Sequence, residues 1–120
     1  MPIHHLAIRV ADVGRSLQFY RDLLGLSVLR EPEPGSAEGS AWLQCGPSVL
    51  MLEPTLRGAG PMAGSGHVLV LPAHGLGGDL THWLALLAQS GIRVDDRTVH
   101  TLYFRDPDGH RVGVSDFSFR

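Results

Sequence analysis

One pattern of elements is written into this chain twice, and that repetition limits the folds open to it. In the first copy, Leu6, Ile8 and Val10 alternate with His5, Ala7 and Arg9, the period of a strand with one apolar face. Asp12 is placed to cap a helix carrying Val13, Leu17, Tyr20 and Leu24 on one side, broadened by Phe19 and Leu23, and Gly25 stops it. Residues 26–29 read as a second strand, 31–39 as a polar Pro/Gly loop, and 40–45 and 48–53 as a hairpin turning at Gly46-Pro47. The second copy opens with a strand at 67–71. Asp79 then caps a helix with Leu80, Trp83, Leu84 and Leu87 on one face, and Gly91 stops it. Residues 92–94 restart extended chain, and 98–105 and 111–117 form a last hairpin around Asp106-Pro107-Asp108-Gly109, a type I turn sequence.

The copies superpose: His5 and His67 stand 62 positions apart, and so do Met51 and Gly113. The expected fold is therefore α+β, a single domain over 1–120. It is built from two tandem βαβββ modules (about 1–54 and 66–120, linker 55–65) that form a cupped mixed sheet with the helices outside. Such a cup is concave and largely apolar, where a small ligand belongs. The connector over 54–66, rich in glycine and proline, reads as a lid or arm.

Composition narrows the partners. With 43% hydrophobic and 18% charged residues and a formal charge of −2, the chain is globular, with no basic face for nucleic acid. No apolar run is long enough to span a bilayer, so no membrane partner is expected. Cys45 is the only cysteine, which excludes an intrachain disulfide and makes a cytoplasmic setting the expectation. Without an activating neighbour in sequence, Cys45 reads as a packed small residue rather than a nucleophile.

Three segments carry a resemblance. His5-x-x-Ile8-x-Val10-x-Asp12 with Ser16-Leu17-x-Phe19-Tyr20 and Leu24-Gly25, then Gly66-His67-Val68, then Tyr103-Phe104-x-Asp106-Pro107-Asp108-Gly109 resemble the motifs of the vicinal oxygen chelate superfamily. That group holds glyoxalase I, fosfomycin-resistance thiol transferases, extradiol dioxygenases and bleomycin-resistance binding proteins. The motifs specify the fold and no single activity. The resemblance implies a homodimer, with cups completed within one chain or by modules from both.

In metal-using members four strand positions ligate a divalent ion, and by motif these fall on His5, Met51, His67 and Gly113. Two imidazoles suit Zn, Ni or Fe, with Mn a further candidate, but the family's oxygen donors are missing from both other positions. Glu53, two residues beyond Met51 on the same strand face, is the replacement carboxylate and the general base to nominate; Ser115 stands in the same relation to Gly113. Arg9 matches an arginine that in glyoxalase I contacts a glutathione carboxylate, and a planar cationic fork suits a carboxylate or phosphate. Trp42 and Met51 line the first half of the cup by alternation. Tyr103 matches a tyrosine that handles a catechol oxygen in the dioxygenases, while serving equally as a half-buried strand residue. His4 is expected on the strand face opposite His5, and His74, His82, His100 and His110 read as surface histidines.

Two functions stand side by side. One is a divergent glyoxalase-type lyase, isomerase or thiol transferase, with His5 and His67 holding a divalent ion. The other is a metal-independent protein that binds or sequesters a small molecule of the antibiotic type. An accessory domain whose cup is filled by its own side chains is the third.

Overall fold

The structure is a computed structural model that describes residues 3–34, 39–61, 64, 66–74 and 77–119. It falls into two compact units, Met1–Gly60 and Pro61–Arg120, whose boundary lies inside the segment read as a connector. The lid or arm expected there rests partly on residues 62, 63 and 65, and the loop over 31–39 on residues 35–38, which lie outside the described residues.

The first unit holds β1 (His5–Arg9), α1 (Val13–Leu17) with a π-helical continuation (Gln18–Leu23), β2 (Val28–Arg30), β3 (Ala41–Cys45) and β4 (Ser48–Glu53). The sheet order is β1-β4-β3-β2, with β1 parallel to β4 and the other pairs antiparallel. Asp12 caps α1 as expected, its carboxylate accepting from the Arg15 amide at 3.1 Å. The helix does not continue as a plain α-helix. The Leu24 amide donates to the Phe19 carbonyl, five residues back, at 3.0 Å, and this widened turn lets the adjacent Phe19 and Tyr20 both be buried. Gly25, at φ +82°, ends it.

The second unit holds β5 (Val68–Pro72), α2 (Leu80–Gln89), β6 (Asp96–Arg97), β7 (Thr101–Arg105) and β8 (Arg111–Ser115), in the order β5-β8-β7-β6 with β5 parallel to β8. Asp79 caps α2 through the His82 amide at 2.8 Å. Trp83 and Leu87 are buried and Leu84 is exposed, so the buried stripe is narrower than the sequence suggested. The Trp83 indole N–H donates to the Ala73 carbonyl at 3.2 Å, satisfying its polar edge inside the core. Extended pairing over 92–94 is not formed; β6 begins only at Asp96. The final turn closes as expected, the Gly109 amide donating to the Asp106 carbonyl at 3.0 Å.

In each unit the helix packs against one face of the sheet. Leu50 and Leu52 of β4 and Ala41 and Leu43 of β3 are buried on the helix side of the first, and Val112, Val114, Leu102 and Phe104 on that of the second. The α+β fold of two βαβββ modules is as expected, each module giving one four-stranded sheet whose alternate residues stand on the face away from its own helix.

Candidate functional site

Register decides which side chains share an uncovered face. In the first unit His5 lies opposite Val49, Ala7 opposite Met51 and Arg9 opposite Glu53, while Trp42 lies opposite Met51 and Gln44 opposite Val49. His5, Arg9, Trp42, Met51 and Glu53 therefore all stand on the face away from the helix, where the alternation put them. His5 and Trp42 meet across β4, ring centroids 5.1 Å apart and edge to face, so imidazole, indole and thioether form one patch.

The same register separates His5 from the carboxylate nominated to join it. Glu53 sits four residues beyond Val49, the residue opposite His5, which is ~13 Å along the strand. Ligand atoms on one ion lie only ~3 Å apart. Glu53 is instead the row mate of Arg9, and the two close the far end of the face.

The second unit departs further from the reading. Val49 and Arg111 are equivalent positions of the repeat; His5 pairs with Val49, but Val68, not His67, pairs with Arg111. His67 falls one residue before β5 and is exposed. Val68 and Val70 take the uncovered face, 39% and 43% exposed. Tyr103 lies opposite Gly113, and a Cβ built on Gly113 would meet the Tyr103 ring at 3.2 Å and the Thr101 methyl at 3.3 Å. A side chain at 113 would therefore be crowded by its cross-strand neighbours.

Arg111 lies over that ring, its Cζ 4.3 Å from the centroid, a cation–π contact. Its Nη2 pairs with Asp96 at 3.3 Å, and its Nε is buried without a hydrogen-bond partner among the described residues. Arg105, opposite Arg111, pairs with Asp95 at 3.1 Å. The Ser115 hydroxyl accepts from Thr101 at 2.8 Å, which commits it to the sheet.

The residues do not fit the chelate that the resemblance implies. Met51 is a soft donor, Gly113 has no donor, Glu53 is far from His5 along the strand, and His67 lies outside β5. Among the described residues no three His, Cys, Asp or Glu side chains gather as a metal group. Sequence reasoning missed His4, whose ring turns to the same side as His5: the two Nδ1 atoms are 2.8 Å apart. Alternation binds a residue only within a strand, and His4 lies just before one. Cys45 is half-buried and unpaired, and burial raises its thiol pKa.

Comparison with known proteins sets the family. Residues 2–114 match the model of the Glyoxalase/Bleomycin resistance protein/Dioxygenase superfamily. The chain belongs to this superfamily. Among its superfamily relatives, the metallothiol transferase FosB of Staphylococcus epidermidis is 26% identical over 118 residues, covering 92% of this chain and 79% of that protein. A glyoxalase family protein from Enterococcus faecalis superposes with a TM-score of 0.68 at 28% identity, covering 95% of this chain and 96% of that one. The fosfomycin resistance protein FosX from Listeria monocytogenes, solved as an E126Q mutant with Mn(II) and a dihydroxypropylphosphonic acid, has a TM-score of 0.75 at 10% identity over 98% and 93% of the two chains. That likeness is one of fold.

Proposed function

We propose that this superfamily member is a small-molecule-binding protein whose ligand lies on the uncovered face of the first sheet, without the family-type chelated metal. The observation that carries the reading is Gly113, which offers no donor and whose Cβ position is crowded by Tyr103 and Thr101. On the first sheet, His5, Trp42 and Met51 offer an aromatic and thioether surface at one end, and Arg9 offers a guanidinium at the other. A flat apolar ligand with a carboxylate or phosphonate head matches that pairing. No Glu53 base step is needed for binding; its role here is to set the Arg9 end.

Calorimetric titration with 2-naphthoate, a flat aromatic carboxylate, in buffer with and without EDTA tests this. Saturable binding indifferent to EDTA and weakened by Trp42→Ala supports it. Binding that requires an added divalent ion, or no saturable binding, overturns it.

The FosB match supports a second reading, a metal-dependent thiol transferase. Incubation with fosfomycin, a low-molecular-weight thiol and Mn(II) or Zn(II) would then give a thiol adduct by mass spectrometry. We further propose a homodimer. β1 and β5 are outer strands of their sheets, and Leu6, Val68 and Val70 on them are exposed, a combination that invites pairing with a second copy.

A further inference from the structure

We propose that His4 and His5 form a chelating pair for a late first-row divalent cation, a site that involves neither His67 nor the fourth-strand positions of the family. The two Nδ1 atoms lie 2.8 Å apart. Metal–imidazole bonds of ~2.0–2.1 Å put two ligand nitrogens at right angles on one ion ~2.9 Å from each other, so the separation of the pair already matches. In the metal-free pair one Nδ1 carries a proton and the other accepts it. When that ring moves its proton to Nε2 and the two rings tilt off the hydrogen-bond line, both Nδ1 lone pairs converge on one ion and each ring stays neutral.

Two further features support the pair. Trp42 packs edge to face against the His5 ring at 5.1 Å, fixing its orientation as an outer partner does for a ligating imidazole. The second unit offers no equivalent histidine in phase, because Val68 holds the register position of His5. Imidazole donors favour Cu2+, Ni2+ and Zn2+ over Mg2+ or Ca2+, with Cu2+ tightest. The remaining positions on such an ion are left to water or a ligand atom. The pair lies at the end of the first sheet's face remote from Arg9 and shares His5 with the proposed ligand surface, so the cation is titrated in the absence of ligand.

Tag-free protein is titrated with Ni2+ or Cu2+, read by tryptophan fluorescence and by elemental mass spectrometry after buffer exchange. Trp42 is beside the site, whereas Trp83 is buried in the other unit. The proposal expects one equivalent bound and quenching of the Trp42 emission, both lost in His4→Ala and in His5→Ala and both kept in His67→Ala. Trp42→Phe should lose the quenching and keep the bound metal. Circular dichroism and thermal melting check that each variant is folded. Binding that survives His4→Ala, binding lost in His67→Ala, or a wild-type protein that retains no ion each overturns it.

Discussion

Gly113, at the position where the resemblance implies a metal ligand, carries no donor. The residue is buried on a sheet face that is otherwise uncovered, because the Tyr103 ring lies across it. Gly113→Ala should destabilise the protein by about 1 kcal/mol, an overpacking cost partly offset by the stiffer unfolded chain. The penalty should vanish in the Tyr103→Ala background, measured as a double-mutant cycle by urea denaturation. Cys45 offers a second test at the same scale. Burial raises its thiol pKa, so at pH 8 its thiolate fraction lies below that of a free cysteine. Labelling by a disulfide reagent should be slow in native protein, accelerate only at more alkaline pH, and match free cysteine once the chain is unfolded. The Arg111 guanidinium, stacked on Tyr103 and held by Asp96, shows why the Tyr103 ring keeps its place.

Elements were legible where a polar phase accompanied the apolar one. β4 spans the expected residues because Ser48-Val49-Leu50-Met51-Leu52-Glu53 is pinned by the tight turn at Gly46, at φ +59°, and buries Leu50 and Leu52 on one side only. β5 was misread by one residue for the opposite reason. Val68-Leu69-Val70-Leu71 is apolar in both phases, so nothing local fixes which residues face the helix. The repeat offset placed His67 inside that strand, whereas it lies one residue before it. The π-helical turn was hidden because adjacent buried Phe19 and Tyr20 still satisfy an α-helical stripe on paper. Helix caps read directly, since an Asp before an apolar periodicity has one role to play. Asp79→Ala should cost about 1 kcal/mol, because the His82 amide loses its acceptor. Asp79→Asn should recover most of it, both measured by thermal denaturation. The residues of the candidate site divide in the same way. His5, Arg9, Trp42, Met51 and Glu53 share the face that alternation gave them, while the interval between His5 and Glu53 required the register.

At the scale of the whole molecule, the repeat gives two sheets, each with one face covered by its own helix and one left open. Their outer strands β1 and β5 carry exposed Leu6, Val68 and Val70. For the proposed homodimer, light scattering should return twice the mass of the 13.0 kDa chain, and Val70→Glu, a charge set on β5 beside Val68, should shift it toward monomer. The open faces differ in chemistry. The first combines an aromatic patch with Arg9, and the second carries the Arg105 and Arg111 ion pairs beside Tyr103. The proposed ligand binding lies on the first, and it is tested most directly by nuclear magnetic resonance of 15N-labelled protein titrated with 2-naphthoate in EDTA. The account predicts saturable shifts concentrated at the Trp42 indole N–H and at the amides of Arg9, Met51 and Glu53. Shifts confined to other residues, or appearing only when a divalent ion replaces the EDTA, would contradict it.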